Sequence, residues 1–285
     1  MSATAGRMDV RLVTRREEIE PRELEGRAAV VIDTLRATTS IATALAAGAA
    51  WVLPVDSEEA AWTARRALQD PAGQPPLLAG ERERIRIPGF DLGNSPAEFT
   101  PGRVGGRGIV LFTTNGSRAL HAAAPRAARL YCAALVNAGA VAGELLRTGA
   151  ERLTLICSGS GGRFSVEDFL TAGCLIDRLH AATGDAPGEE GWEGVEALAP
   201  GRLRLDDAAE AAWLAWRAGR RRLRALVEPG RAARALAEVG LADDLDDALR
   251  LDSLGVIPIF REGRVVALDG PASQLDAARR DTERS

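Results

Sequence analysis

The sequence has 285 residues and an ordinary globular composition, in which 46% of the residues are hydrophobic and 27% are charged. A chain of this length can bury a substantial core, as one large domain or two closely packed ones. The formal net charge is −4, which argues against general affinity for nucleic acid. No apolar run reaches membrane-spanning length and the first residues lack the apolar core of a signal peptide, so we expect a cytoplasmic protein without a membrane partner.

The residue types exclude several kinds of site. Every basic residue is arginine, so a Schiff-base lysine and a Walker A phosphate loop are both excluded. The three cysteines, Cys132, Cys157 and Cys174, are too few and too far apart to suggest a disulfide framework or a zinc site. The two histidines, His121 and His180, have no motif around them and argue against histidine-based triads and metal sites.

Apolar strand patterns alternate with helical patterns over residues 8–183. The strands are expected at 8–14, 28–33, 51–55, 77–80, 108–112, 130–135 and 152–157, and the helices at 40–47, 58–69, from 118, 137–146 and 165–179. Such alternation indicates an α/β sheet covered by helices on both faces. We therefore expect a three-layer α/β/α fold with a mostly parallel or mixed sheet.

The rest of the chain reads as an extension of the same unit. We expect residues 184–201 to form a surface connection, and residues 206–252 to form two or three helices. Two apolar runs at 256–260 and 265–268, separated by a short turn, predict a closing hairpin. The predicted organisation is one unit over 1–285, with a main α/β part at 8–183 and a helical segment and hairpin at 202–285.

The stretch VVIDTLRATTS, at 30–40, predicts a buried strand that carries Asp33 to its carboxyl end. The hydroxyls that follow, on Thr38, Thr39 and Ser40, are suited to cap a helix N-terminus, and such a terminus attracts anions. Arg36 adds a positive fork that suits phosphate or carboxylate. Alone, Asp33 and Arg36 would be read as a salt bridge. A carboxylate beside an anion site nevertheless suggests a divalent metal together with a phosphate.

Two further strands end in similar turns, LFTTNGS at 111–117 and LICSGSGGRFS at 155–165. Each turn alone is adequately explained as a helix cap or a glycine-rich loop. Ligands bind at the carboxyl ends of strands in α/β sheets, so the recurrence of this design predicts that the three turns form one anion site.

The long loop at 81–101 supplies oxygen ligands of the kind that magnesium prefers, on Glu81, Asp91, Asn94 and Glu98. Glu98 is better explained as a solvated acid. Interleaved apolar residues argue that the loop is ordered, and we expect it to face the TTNGS and RATTS turns across a single cleft. Acids also open the predicted helix at 165–179, where Glu167 or Asp168 is a candidate ligand or simply favoured by the helix dipole.

Cys157 and Arg163 show the C-x5-R spacing of cysteine-dependent phosphatases, in which a thiolate and an arginine act on phosphate. The spacing is short enough to arise by chance, and Ile156 stands where a histidine is usual. A buried core cysteine is the simpler interpretation.

Taken together, four stretches resemble the 2-phosphosulfolactate phosphatase family (ComB): VVIDTLRATTSIATALAAGA, AGERERIRIPGFDLGNSPAEF, LFTTNGSRAL and ICSGSGGRFSVEDFLTAG. The closing LADDLDDALRLDSLGVIPIF is similar to the C-terminal segment of that family. The resemblance covers roughly residues 28–268 in unbroken order. It implies an α/β phosphatase that needs Mg2+ and removes phosphate from 2-phosphosulfolactate in coenzyme M biosynthesis.

The resemblance also implies roles for individual residues. Those implied to be catalytic are Asp33, Arg36 and Asp168, and those implied to hold the metal are Asp33, Glu81 and Asp91. A small anionic phosphorylated substrate would be bound at the motif positions Arg36, Thr38, Thr39, Thr113, Thr114, Asn115 and Arg118. We expect Gly116, Ser158 and Arg163, in the same strand-end turns, to bind it as well. Asn94 also falls on a motif position of the family. A homodimer is a further expectation.

Two alternatives stay open from the residues alone. The chain could be a metal-independent cysteine phosphatase that uses Cys157 and Arg163, or a non-catalytic binder of an anionic metabolite. The residues also do not distinguish direct attack by water from formation of an aspartyl-phosphate on Asp33. Leu35 stands where the haloacid-dehalogenase signature has its second aspartate, which weakens the case for an aspartyl-phosphate.

Overall fold

The computed structural model describes residues 7–183 and 202–268. Its strands form one mixed sheet in the order β5-β4-β6-β3-β11-β10-β7-β2-β8-β1-β9. The strands are β1 (Met8–Val13), β2 (Ala28–Ile32), β3 (Trp51–Val55), β4 (Leu77–Arg82), β5 (Ile85–Arg86), β6 (Gly108–Phe112), β7 (Arg129–Ala133), β8 (Arg152–Cys157), β9 (Leu203–Leu205), β10 (Pro258–Arg261) and β11 (Arg264–Ala267).

The helices fill the connections between these strands and most of the C-terminal part. They are α1 (Ala37–Ala46), α2 (Glu58–Ala67), α3 (Pro101–Val104), α4 (Gly116–Ala123), α5 (Ala138–Arg147), α6 (Val166–Thr183), α7 (Asp207–Gly219), α8 (Leu223–Val227), α9 (Arg231–Glu238) and α10 (Asp243–Ala248). Short 3-10 turns occupy Arg16–Glu18, Pro21–Leu24, Pro96–Glu98, Leu135–Asn137 and Arg220–Arg222.

Alternation along the strands creates the predicted three layers. In β2, Val30 and Ile32 pack into one apolar cluster, together with residues of α5, α6 and α7. Ala29 and Val31 face the other way, into a cluster with residues of α1 and α4. Successive side chains of a strand point to opposite faces, so a fully buried strand needs helices on both sides. The α/β/α prediction is confirmed.

The sheet consists of two parallel blocks joined by an antiparallel hairpin. Strands β9, β1, β8, β2 and β7 run parallel to one another, as do β3, β6 and β4. The hairpin β10–β11 lies between them and pairs antiparallel with β7 and with β3. The predicted hairpin is therefore present, but it lies inside the sheet and makes the two blocks run in opposite directions.

Several element boundaries differ from the predictions. Helix α1 begins at Ala37, three residues before the predicted start at Ser40, and the residues from Asp207 to Ala248 form four helices where two or three were expected. The predicted connection at 184–201 lies outside the described residues. None of the helices in the described ranges is long and apolar enough to cross a membrane.

Candidate active site

Asp33 follows the last residue of β2 and lies at the base of a cleft, with 6% of its surface exposed. The turn after it is held by its own polar groups. The amide of Asp33 donates to Thr38 Oγ1 at 2.9 Å, and the amide of Ala37 donates to the Asp33 carboxylate at 3.3 Å. The Thr39 hydroxyl donates to the carbonyl of Thr34 at 2.8 Å. The hydroxyls of Thr38 and Thr39 therefore stabilise the turn. The sequence predicted that they bind the substrate, but neither residue lines the cleft.

The cleft has a volume of about 360 Å³ and collects all three of the predicted strand-end turns. Its lining residues are Asp33, Leu35, Arg36, Glu81, Arg82, Glu83, Arg84, Asn94, Thr113, Thr114, Asn115, Ser160, Gly161, Arg231, Ala232 and Leu236. The predicted convergence of the turns after β2, β6 and β8 is confirmed.

Gly116 allows the turns after β6 and β2 to meet. A Cβ atom at this position would lie 2.5 Å from Ala37 Cβ and 2.9 Å from Asp33 Oδ2, closer than real Cβ contacts come. Gly116 therefore permits the close approach of α4 to Asp33. It serves the predicted site through its lack of a side chain.

The TTNGS turn after β6 is fixed by hydrogen bonds on both sides. Thr113 Oγ1 and Ser117 Oγ lie 3.1 Å apart, and the amide of Ser117 also donates to Thr113 Oγ1 at 3.1 Å. Arg16 donates to the carbonyl of Thr114 at 3.1 Å and to Asn115 Oδ1 at 2.9 Å. These bonds preorganise the turn before any ligand arrives.

The loop at 81–101 returns to the cleft, as predicted, and it is built around a short antiparallel pairing of β5 with β4. Glu81 accepts from the amide of Arg84 at 2.6 Å and from the hydroxyl of Thr114 at 3.0 Å. Asn94 lines the cleft, and its buried Oδ1 has no hydrogen-bond partner among the described residues. Two of the loop's oxygen-bearing side chains are thus placed at the site.

Asp91 is not among the residues that line the cleft. Its carboxylate pairs with Arg65 of α2 and accepts from the amide of Leu78 at 2.8 Å, near the start of β4. The expectation that Asp91 points into the cleft is therefore wrong. The carboxylate is engaged in holding the loop against α2 and β4.

Arg36 lines the cleft but is already paired within the protein. Its Nη1 donates to Asp244 of α10 at 2.8 Å, and its Nη2 donates to the carbonyl of Arg84 at 2.9 Å. Asp244 also accepts from the hydroxyl of Ser95 at 2.5 Å. The side chains of Arg36 and Asp244 are 3% and 4% exposed, so this is a buried ion pair. It fixes the turn, the loop and α10 in one arrangement.

Three acids meet behind the turn after β2. Asp168, on the first turn of α6, accepts from the amides of Thr34 at 2.8 Å and Gly159 at 3.2 Å. The pKa of Asp33 is raised to about 7, mainly by burial and also by the charges of Glu167 and Glu81, although the hydrogen bond from the Ala37 amide and the charge of Arg36 lower it. Burial and the charge of Asp33 raise the pKa of Asp168, and burial likewise raises the pKa of Glu167. The base of the cleft therefore lies against buried carboxyl groups for which ionisation is unfavourable.

Three other residues predicted to bind the substrate do not line the cleft, and neither does Asp168, which was predicted to be catalytic. Arg118 and Arg163 are exposed outside the cleft, so the structure does not bring them to the predicted site. The Ser158 hydroxyl is buried without a hydrogen-bond partner among the described residues, and its amide donates to the carbonyl of Ile32 at 2.8 Å. The sequence pattern places these residues in a helix or a loop, but it does not determine the direction in which their side chains point.

Cys157 is fully buried at the end of β8. Burial raises the pKa of its thiol well above the ordinary value, and the negative charges of Asp168 and Glu167 raise it further. A cysteine nucleophile requires a stabilised thiolate, and here both causes act against one. Arg163 does not compensate, since it is exposed to solvent. The geometry gives no support to a cysteine phosphatase.

The sequence interpretation missed several residues of the site, namely Arg16, Ser95, Arg84, Arg231 and Asp244. The last of these lies in LADDLDDALR, where several acids are consecutive and nothing in the local pattern marks which one faces inward. Arg84 and Arg231 lie in arginine-rich stretches with the same ambiguity. Only the long-range fold identifies them.

A second cavity, of about 600 Å³, lies between α6, α7, α8 and α10 and is also lined by arginines. Most of these have acidic partners, as in the pairs Arg178–Asp252, Arg224–Asp246 and Arg250–Asp247. None of the predicted site residues lines this cavity. The cleft at the strand ends is therefore the better candidate for the active site.

Comparison with known proteins identifies the same family that the sequence motifs resemble. Residues 13–263 match the sequence profile of the family described as 2-phosphosulpholactate phosphatase. The chain is similar to probable 2-phosphosulfolactate phosphatases of Symbiobacterium thermophilum and Deinococcus radiodurans, each 40% identical over 247 residues. These alignments cover 87% of this chain and 97% and 91% of the relatives. A relative from Caldanaerobacter subterraneus is 34% identical over 248 residues, or 87% of this chain and 93% of its own length.

The fold, the strand-end cleft and these relatives define an α/β enzyme of the phosphoric monoester hydrolase class. Within that class, the chain belongs to the 2-phosphosulfolactate phosphatase family.

The buried pair between Arg36 and Asp244 should be important for stability. We expect Asp244→Ala to lower the free energy of unfolding by about 3–5 kcal/mol, because it leaves the buried guanidinium of Arg36 without its counter-charge. Asp243 is exposed on the same helix and provides a matched control, since Asp243→Ala should change stability by less than about 0.5 kcal/mol. Urea denaturation followed by circular dichroism measures both. Equal effects of the two substitutions would contradict a special role for Asp244.

Proposed function

We propose that this protein hydrolyses the phosphomonoester of 2-phosphosulfolactate, or of a similar small phosphorylated acid, with the help of Mg2+. The observation that supports this proposal is the cleft at the ends of the strands, which is lined by Asp33, Glu81, Asn94 and Thr113. The relatives are named for the same reaction, and they align over most of both chains. A role in coenzyme M biosynthesis and a homodimer stay predictions.

The residues present in the cleft fit a magnesium ion. Mg2+ binds oxygen ligands, usually one or two carboxylates, and completes its coordination with water and substrate phosphate. Asp33 and Glu81 supply two carboxylates, and the unpartnered Oδ1 of Asn94 supplies a neutral oxygen. No three His, Cys, Asp or Glu side chains within residues 7–183 and 202–268 form a ready metal cluster. We propose Asp33 and Glu81 as the protein's metal ligands because both line the cleft, whereas Asp91 does not.

The raised pKa of Asp33 agrees with this assignment. A buried carboxylate surrounded by other acids is costly to ionise unless a cation compensates it. When bound, a magnesium ion would neutralise charge on Asp33 and on a phosphoryl oxygen. The protein's own contribution is to keep Asp33 in place through the Thr38 hydroxyl and the amide of Ala37.

The rest of the phosphate-binding role falls to the preorganised turn after β6. Thr113 and Asn115 line the cleft next to the N-terminus of α4, where the helix dipole favours negative charge. Because hydrogen bonds with Ser117 and Arg16 already fix this turn, little ordering is needed when the phosphoryl group binds. Asp33 would either orient the attacking water or accept the phosphoryl group itself.

A phosphatase assay tests the proposal directly. We expect the purified protein to release phosphate from 2-phosphosulfolactate in the presence of Mg2+, and EDTA to lower the rate by about 10²-fold or more because the metal compensates charge in the reaction. Adding excess Mg2+ should restore the rate. Undiminished release in EDTA would contradict the metal, and no release from a panel of small phosphorylated acids would favour the non-catalytic binder.

Asp33→Asn should lower kcat by about 10³-fold or more, equivalent to roughly 4 kcal/mol of transition-state stabilisation. The substitution removes the carboxylate charge while nearly preserving side-chain volume, so the thermal midpoint should change little. Steady-state kinetics and a thermal melt measure the two effects separately. A folded variant with wild-type kcat would show that Asp33 has only a structural role.

Cys157→Ser separates the metal mechanism from the cysteine mechanism. On our proposal the thiol has no chemical role, so kcat should stay within about threefold of wild type, even if the buried hydroxyl costs some stability. Arg163→Ala should be equally mild, because Arg163 is exposed outside the cleft. Complete loss of activity in a well-folded Cys157→Ser protein would favour the cysteine mechanism.

A further inference from the structure

Four arginines line the cleft, and two of them are already committed to protein groups. Arg36 pairs with Asp244 and with the carbonyl of Arg84, and Arg82 pairs with Glu58 of α2. The guanidinium of Arg36 is buried in its ion pair, and the exposed guanidinium of Arg82 is shared with Glu58. The remaining cations of the lining are Arg84 and Arg231.

Arg84 is held by its backbone and leaves its side chain available. Its amide donates to Glu81 at 2.6 Å and its carbonyl accepts from Arg36 at 2.9 Å. Glu83 and Arg84 have φ angles of +52° and +71°, a conformation that residues with a side chain rarely adopt. Yet the half-buried guanidinium of Arg84 has no polar partner among the described residues, including the neighbouring Glu81 and Glu83. An arginine positioned in this way is suited to bind an anion in the cleft.

Arg231 comes from a different part of the chain and reaches the same cleft. It is the first residue of α9, and one of its guanidinium nitrogens donates to the carbonyl of Phe164 at 3.1 Å. Arg231 is exposed and lies close enough to Glu167 that its charge lowers the pKa of that acid. Within the described residues this carbonyl is the one hydrogen-bond partner of the guanidinium, so its other N–H groups are able to bind a carboxylate or sulfonate.

We infer that Arg84 and Arg231 are specificity-determining residues that bind the acid groups of the substrate other than the phosphate. This inference rests on the proposed phosphatase function and deepens it. The cleft would select phosphomonoesters that carry one or two further anionic groups, such as a carboxylate and a sulfonate. These two residues take the place of Arg118 and Arg163, which were predicted to bind the substrate but lie outside the cleft.

Substrates with different numbers of acid groups test the inference. The assay compares 2-phosphosulfolactate, which carries two acid groups besides the phosphate, 2-phospholactate, which carries one, and p-nitrophenyl phosphate, which carries none. We expect Arg84→Gln and Arg231→Gln each to lower kcat/KM for 2-phosphosulfolactate by about 10- to 100-fold, mainly through KM. The ratio of this kcat/KM to that for p-nitrophenyl phosphate should fall at least tenfold. Lysine at either position should retain part of the preference, because it keeps the charge without the planar fork.

Matched controls come from the same elements. Arg86 lies on β5 and Arg234 on α9, and both are exposed and absent from the cleft lining. We expect Arg86→Gln and Arg234→Gln to keep the substrate preference within about twofold of wild type. Thermal melts of all variants show that each one folds.

A binding measurement distinguishes failure of this inference from failure of the proposed function. Calorimetric titration with sulfolactate needs no turnover, and we expect its Kd to weaken about tenfold in Arg84→Gln and in Arg231→Gln. If the wild type releases no phosphate but the variants show this weakening, the proposed function is wrong, and only the binding of acid groups by the two arginines stands. If phosphate is released while both variants keep the wild-type preference and sulfolactate affinity, or if sulfolactate does not bind to the wild type, the inference is overturned.

Discussion

The buried ion pair between Arg36 and Asp244 is the interaction on which the cleft depends. It joins a turn near the N-terminal end of the chain to a helix 208 positions later, and Ser95 of the long loop bonds to the same carboxylate. Burying two charges is expensive, and it is tolerated only where geometry and further hydrogen bonds compensate. The second bond of Arg36, to the carbonyl of Arg84, provides such compensation. Because three distant segments share one pair of charges, none can move without exposing or isolating a charge, and the cleft is held in one shape.

The shape of the sheet determines how the turns after β2 and β6 come to meet. Strands β7, β10, β11 and β3 lie between them, so a flat sheet would keep the two strands about 24 Å apart at a spacing of about 4.8 Å. The two blocks also run in opposite directions, so in a flat sheet their carboxyl ends would lie at opposite edges. The contact of Gly116 with Asp33 therefore requires a strongly twisted and curved sheet. A twist of about 20–25° per strand, accumulated over five steps, rotates the two strands relative to each other, and curvature of the sheet brings their ends together.

Most strands and the mixed, mostly parallel sheet were predictable from the sequence, but the order of the strands was not, for physical reasons. Strands such as β3 and β6 are short apolar runs, and the residues that form them are adjacent in the chain. The insertion of the hairpin β10–β11 between β3 and β7 is a pairing across more than 100 positions, and no local pattern encodes it. The site follows the same rule. Asp33 was predictable because the end of a buried strand fixes its place, whereas the direction of Asp91 depends on Arg65, in a different helix.

The charges of the cleft are arranged in a gradient that limits what can bind there. Asp33 lies at its base with Glu167 and Asp168 behind it; burial raises the pKa values of all three, and neighbouring acids raise those of Asp33 and Asp168 further. Arg84 and Arg231 contribute positive charge that no protein acid neutralises through a direct ion pair within the described residues. An anion alone would be attracted by the arginines and repelled by the base, and a cation alone would experience the reverse. A ligand that combines a divalent cation, a phosphate and a further acid group satisfies both regions at once, because the cation screens the phosphate from the buried carboxylates.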